Sequence, residues 1–509
     1  MSISRILMVL CSILLSGYIV LGQPQSKLSF TLSPVQSNPS KFHVELLCEG
    51  ITGEIQDFKM PSIAPGYYRV LDFAANVENF NAADNSGKAL PWEKIAKNTW
   101  RVCTDGTGVV KIRYDVKSDF GSVAGSFIDD KRAYISTPGV FIYPDGQINH
   151  PLHVTLIPSK NFPKISTGLE PRQDNPHSFY AYNFDNLYDC PIYMGNQEVA
   201  SFTVRGIWHY VAMENPGTFD RRQFTADLKK MIETASEIIG NIPYLHYTFI
   251  FMGEGKGGLE HLNSSAMFLT LSGEQNPWLE KDVMKFLTHE YFHVYNVKAI
   301  RPVALGPFSY DGENNTDMLW FSEGGTVYYE FIILNRAGFF SRNECLDSFA
   351  SIIAKNEGNP ARLSQSAAEA SRKAWTQSFF GSEKEVSYYD KGLALSLLLD
   401  LRIRHETANN KSLDDVMRMC YYEFFEKKHR GFTDQEFRQV CEYMAGTSLA
   451  DFFAYISNTA ELDYKKYFDY AGLTIEMSVD KDKKVTCHIK QLPNPTPLQS
   501  EIFQDWLKE

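Results

Sequence analysis

The 509-residue chain has no Cys-x-x-Cys pair, no internal repeat, no low-complexity stretch and no cluster of basic residues. Each absence excludes a class. Without cysteines at two-residue spacing there is no thiolate zinc ribbon and no dithiol redox motif. The 50 Lys and Arg are spread evenly under a net charge of −11, so the basic face that neutralises a phosphate backbone is missing and nucleic acid is not an expected partner. Disorder is not indicated either: 44% hydrophobic and 14% aromatic residues can bury substantial cores, at a length that suits two or three domains. The acidic balance itself is ordinary for a soluble protein and names no substrate.

One apolar run stands out, at the start. Met1 to Gly22 carries an early positive charge, Arg5, followed by Ile6–Leu15 and Val20-Leu21-Gly22. That is the pattern of a secretory signal, with cleavage expected after Gly22. Roughly 17 apolar residues is the short limit for a spanning helix, so a retained anchor is the weaker alternative. Cys11 follows Met8-Val9-Leu10 and lacks the small residue of a lipid-attachment site. The expectation is an exported protein, periplasmic or secreted and bacterial in context, with no stable membrane span after cleavage. Beyond the leader stand Cys48, Cys103, Cys190, Cys345, Cys420, Cys441 and Cys487; their odd number leaves at least one without a partner in the chain.

From about Leu28 to Met213 the chain reads as short alternating runs, among them Phe42–Leu47, Val109–Tyr114, His153–Ile157 and Ser201–Val204, separated by Gly, Pro and Asn. This pattern predicts an antiparallel β domain. The period then changes: Phe224, Leu228, Ile232, Ala235 and Ile238-Ile239 predict a helix of about twenty residues, and Tyr247–Met252 a strand. After Tyr389 the chain reads as mostly helical through Phe453. The tail has room for a hairpin, Thr474–Ser478 with Val485–Lys490, and a short helix. The expected division is a leader (1–22), a β-rich domain (23–213), a helical domain (214–472) and a short C-terminal unit (473–509).

His289-Glu290-Tyr291-Phe292-His293 is the pattern with most chemistry in it. Residues four apart on a helix differ by about 40° and roughly 6 Å, so two histidines at that spacing reach one point. His-Glu-x-x-His is the zinc-peptidase arrangement. Asn276-Pro277 supplies a helix start, and Val283, Phe286, Leu287, Tyr291 and Val294 recur at helical spacing, which sets the motif on a core-facing helix. Catalytic zinc takes three protein ligands; Glu323, in Trp320-Phe321-Ser322-Glu323-Gly324-Gly325 at the start of a second helix, is the candidate third. Glu290 flanks the histidines as candidate general base and acid. The acceptor patterns Asn263-Ser264-Ser265 and Asn314-Asn315-Thr316 lie in segments tied to this site, where a glycan would obstruct it, and are read as chance matches.

The run from His289 to Arg301-Pro302 resembles the glycyl aminopeptidase family of gluzincin zinc metallopeptidases. So do Met60-Pro61-Ser62-Ile63-Ala64-Pro65-Gly66-Tyr67-Tyr68-Arg69, Asp72-Phe73-Ala74-Ala75-Asn76-Val77, Gly257-Gly258-Leu259-Glu260-His261 and Tyr388-Tyr389-Asp390-Lys391-Gly392. The resemblance implies an α+β multidomain fold, a β-rich N-terminal domain ahead of a thermolysin-like, mostly helical catalytic domain, and one zinc per chain. It further implies that Tyr389 donates to the oxyanion, with Tyr388 the competing candidate. Gly257 and Gly258 would let backbone approach the substrate, and Glu260 would hold its α-ammonium. Two departures are visible: only 37 residues follow Gly472, too few for the PDZ domain common in the family, and Ala299 stands where a second basic residue is expected. The implied activity is removal of small N-terminal residues, glycine or alanine, from peptides. An endopeptidase with a structural Glu260, and a catalytically silent peptide-binding protein, are the alternatives.

Overall fold

The structure is a computed structural model that describes residues 28–509 apart from 36, 120, 270–280 and 483. The leader and the expected helix start at Asn276-Pro277 lie outside the described residues.

The N-terminal half is built on a seven-stranded sheet: β1 (Leu28–Pro34), β2 (Lys41–Ile51), β3 (Val77–Asp84), β4 (Gly108–Lys117), β5 (Leu152–Leu156), β6 (Glu170–Arg172) and β7 (Asn175–Ala181). Their spatial order is β6-β7-β5-β1-β2-β4-β3. Alternation sets the faces: Leu28, Phe30 and Leu32 of β1 and Phe42, Val44, Leu46 and Cys48 of β2 all point inward. Side chains alternate with a period of two along a strand, so each polar neighbour is turned outward. The expected antiparallel domain is present, with one parallel pairing inside it, β1 with β5. A period of two reports which face is buried and is blind to strand direction. Two four-stranded sheets close the rest of this half.

A five-stranded sheet opens the catalytic half: β8 (Glu198–Val204), β9 (Ile207–Met213), β10 (His246–Phe251), β11 (Gly258–Glu260) and β12 (Ser264–Met267), in the order β8-β9-β10-β12-β11. The boundary expected at 213 therefore falls inside one sheet, between β9 and β10, which pair in parallel from Trp208↔His246 to Met213↔Phe251. The crossover between them is α1 (Arg221–Ile239), capped by Asp220, whose side chain accepts from the Gln223 backbone N–H, and ended by Gly240 in the left-handed region. Phe224, Leu228, Ile232, Ala235, Ile238 and Ile239 are its buried stripe. The β8–β9 hairpin reads locally like those before it; only its partner across α1 assigns it to the second sheet.

Four helices place the chemistry: α2 (Lys281–Phe292), α3 (Leu319–Ser322), α4 (Gly324–Arg336) and α5 (Tyr388–Glu406). On α2 the buried residues are Met284, Leu287, Thr288, Glu290, Tyr291 and Phe292, while Val283 and Phe286 are half-buried at the flanks. α5 crosses α3 and α4 at Gly324 and Gly392, where a Cβ on Gly392 would stand 2.0 Å from the Trp320 carbonyl oxygen. That close approach brings the start of α5 against Glu323. The C-terminal hairpin (Leu473–Val479, Val485–Gln491) and helix (Pro497–Trp506) form as expected and pack into the same core, with Trp506 Nε1 donating to Tyr328 Oη at 2.8 Å. The seven described cysteines are free thiols, six of them buried. Asn263 and Asn314 are both 8% exposed, so neither can carry a glycan in this fold.

Candidate metal centre and active site

His289 lies in the last turn of α2, and His293 follows at the entry to a wide π-type turn over Val294–Ala299. Their Nε2 atoms face each other at 3.1 Å. Glu323, at the joint between α3 and α4, points Oε2 at both, 3.7 Å from His289 Nε2 and 3.4 Å from His293 Nε2. One donor atom from each of the three lies within 4.8 Å of the others. A tetrahedral zinc about 2.0–2.1 Å from each nitrogen would hold two imidazoles roughly 3.3 Å apart, so the donor set fits zinc.

The outer nitrogens are engaged as well. His293 Nδ1 lies 2.7 Å from the Asn296 carbonyl oxygen and His289 Nδ1 3.4 Å from Glu330 Oε2. Partners on Nδ1 fix each ring's orientation and turn the Nε2 lone pair inward, as ligand histidines require. Charge points the same way. Burial alone would lower the His289 pKa, yet hydrogen bonds to Glu323 and Glu330 lift it to about 10. Burial pushes Glu323 up, yet His293 and His289 hold its carboxyl well below the usual range. A buried carboxylate facing two imidazoles is a site that calls for a cation.

Glu290 is buried beside the histidines, and burial raises its carboxyl to about 7 against the pull of His289 and His293. The edge strand β11 runs past it: a Cβ on Gly258 would stand 2.7 Å from Phe286 Cζ and 2.8 Å from the Glu290 carboxyl, so a larger residue there would displace these side chains. Gly257 precedes it with a φ of 96°. Two residues along, Glu260 is 5% exposed and its Oε1 has no hydrogen-bond partner. Lys298 Nζ stands 3.6 Å from that oxygen and donates to Asp189 Oδ1 at 2.8 Å. Glu260 also borders a cavity of about 260 Å³ between the two halves, lined by Gly66, Tyr68, Asp189, Lys298 and Arg301 among others.

Tyr389 and Tyr388 stack at 4.8 Å between ring centroids, and the Tyr389 ring lies 6.1 Å from that of His289. Tyr388 is fully covered, whereas Tyr389 is half-buried. Burial and then the Glu323 charge push the Tyr389 pKa well above its ordinary value, so its phenol stays a donor. The structure thus gathers His289, Glu290, His293, Glu323, Tyr389, Gly258 and Glu260 into one region. It adds residues to which motif reading gave no role: Glu330, Lys298, Asp189 and Tyr68, whose phenol donates to Glu323 Oε1 at 2.7 Å. Glu330 carried a signal, standing seven residues and two helical turns from Glu323. Asp189 comes from the other half and carried none, and Tyr68 lay in a run that resembles the family but had no role attached to it.

Residues 29–196 match the Peptidase M61 N-terminal domain and residues 282–395 match M61 glycyl aminopeptidase, two models of one family that together span more than half of the chain. The chain belongs to the M61 glycyl aminopeptidase family. It is accordingly a peptidase, a hydrolase of the zinc aminopeptidase type. Among solved structures it is similar to the aminopeptidase N family protein from Idiomarina loihiensis, at 27% identity and a TM-score of 0.82 over 90% of this chain and 80% of that one. The M1 zinc metallopeptidase from Deinococcus radiodurans shares the fold at 13% identity and a TM-score of 0.53, over 86% of this chain and 94% of that one. A mutant of that enzyme bound to a Tyr-Ser-Ala substrate matches at 13% identity and a TM-score of 0.54, over 86% and 94%. A search of curated protein sequences returns no match. Among the described residues no helix is long and apolar enough to cross a membrane.

Proposed function

We propose that the protein is an exported aminopeptidase that uses one zinc per chain to release small N-terminal residues, glycine or alanine, from peptides. The observation that carries the exopeptidase reading is Glu260: a buried carboxylate with an unbonded oxygen, on the edge strand that passes the general base. A free α-amine has a pKa near 8 and is mostly charged at neutral pH, so this oxygen suits it and defines where a substrate must end. The family's glycyl character supports the small first residue, and the apolar leader at residues 1–22 supports export.

In this reading His289, His293 and Glu323 hold the zinc. Bound there, the metal supplies Lewis-acid chemistry, polarising a carbonyl and acidifying water toward a pKa of about 7. Glu290 takes the proton of the attacking water and returns it to the departing amine. Tyr389 donates to the oxygen on which negative charge develops, and Gly257 and Gly258 let β11 lie against the substrate backbone.

Loss of a ligand should be plain: His293→Ala and Glu323→Ala are expected to lose the metal, read as zinc per chain in purified protein, where the wild type holds one. A zinc-loaded, active Glu323→Ala enzyme would overturn the ligand set.

Glu260→Gln keeps shape and removes charge. A charge-assisted hydrogen bond contributes about 1.5–3 kcal/mol, so kcat/KM on free-amine peptides should fall roughly 10- to 100-fold, about 1.4 kcal/mol being tenfold, with zinc retained. Lys298 at 3.6 Å shares the Glu260 charge and draws the expectation toward the lower figure. That same contact is the observation that favours an endopeptidase. Equal wild-type rates on free and N-acetylated peptides, unchanged by Glu260→Gln, would make Glu260 a structural partner of Lys298 and decide for it.

A further inference from the structure

Glu323 uses its two oxygens differently. Oε2 faces the histidines, and Oε1 accepts the Tyr68 hydroxyl at 2.7 Å. Tyr68 belongs to the N-terminal half, 255 residues away in sequence, and is 3% exposed. The bond runs from phenol to carboxylate.

The backbone that delivers this hydroxyl is held in an uncommon conformation. Tyr68 has a φ of 43°, in the left-handed region that non-glycine residues rarely occupy and that tends to mark functional sites. The turn is stapled from the catalytic half. Arg69 Nη1 donates to the Tyr68 carbonyl at 2.7 Å and to the Ala374 carbonyl at 2.5 Å, and Nη2 to the Gln377 carbonyl. The Arg69 guanidinium lies 4.0 Å over the Phe379 ring, and Tyr68 meets Trp375 edge-on at 6.1 Å. A tyrosine serving only to fill space would need neither the strained turn nor a phenol aimed at a carboxylate whose other oxygen faces both histidines.

We propose that Tyr68 is a positioning residue that confines Glu323 to one-oxygen donation, and so keeps the fourth coordination position of the zinc open. This rests on the zinc-site reading above. A carboxylate free of Tyr68 can offer both oxygens and fill that position itself. The N-terminal half would then be a working part of the metal centre.

The test is Tyr68→Phe, which keeps the ring on Trp375 and removes one oxygen. Three measurements are made on the full chain: unfolding temperature of the metal-free protein, zinc affinity by competition with a chelator, and the visible absorption of the Co²⁺-substituted protein. Metal-free Tyr68→Phe should unfold within a few degrees of wild type. Its zinc dissociation constant should rise about 10- to 100-fold, the range seen when an outer partner of a ligand is removed. Its Co²⁺ bands should change in position and intensity, because a second carboxylate oxygen takes the fourth position. Unchanged zinc affinity, or superimposable Co²⁺ spectra, would overturn the proposal and leave Tyr68 a packing residue. Failure of the zinc-site reading looks different: the wild type itself would bind neither metal at His289, His293 and Glu323.

Discussion

Glu290→Gln protein is expected to purify with its zinc and to turn over about 10²- to 10⁴-fold more slowly, the usual contribution of a positioned general base. The geometry separates these two properties. Glu290 is not among the three residues whose donor atoms converge, so the amide takes no ligand away. Its carboxyl nonetheless sits beside both histidines, in a place dry enough to raise it to about 7 in the metal-free site, and glutamine fits the same space while accepting no proton. The pH profile gives a second reading. A base works only when deprotonated, so wild-type kcat/KM should fall on the acid side, with its midpoint below 7 because a neighbouring dication favours the carboxylate. Residual Glu290→Gln activity should lack that limb. A variant that loses zinc, or keeps the limb, would move the base elsewhere.

Tyr389→Phe should lower kcat about 10²- to 10³-fold with a smaller change in KM, because a donor aimed at developing charge matters mainly in the transition state. Tyr388→Phe should change much less. The two rings stack, so the contrast rests on access: Tyr388 is sealed off. Tyr389 lies beside His289 and is only half-buried. Steady-state kinetics of both variants on one alanyl peptide decide the assignment. If the larger loss belonged to Tyr388→Phe, the donor would be the buried ring, reached through a movement of α5.

What could be read from the chain and what could not divides along sequence separation. The histidine pair is four residues apart on one helix, and such spacing is a local property. Strand faces were equally legible, since Phe42, Val44 and Leu46 alternate with polar neighbours. Sheet membership was not: β8 and β9 alternate like the strands before them, and only pairing with β10 across a nineteen-residue helix assigns them to the catalytic sheet. The hidden part of the site is its contact between halves. Tyr68 meets Glu323 across 255 residues and Asp189 meets Lys298 across 109. A buried tyrosine or ion pair has no periodicity, so even within a run that resembles the family nothing local assigns Tyr68 its partner.

Four carboxylates, Glu260, Glu290, Glu323 and Glu330, are buried around two imidazoles. This crowding makes the metal a thermodynamic partner of the fold as well as a reagent. Whatever binds the native state alone stabilises it by RT ln(1 + [L]/Kd), about 2.7 kcal/mol at a hundredfold excess over Kd and about 4.1 at a thousandfold. The melting temperature of the protein should therefore climb with free zinc and drop after chelation, and the proportion of chains that stay folded becomes a gauge of the zinc supply around them.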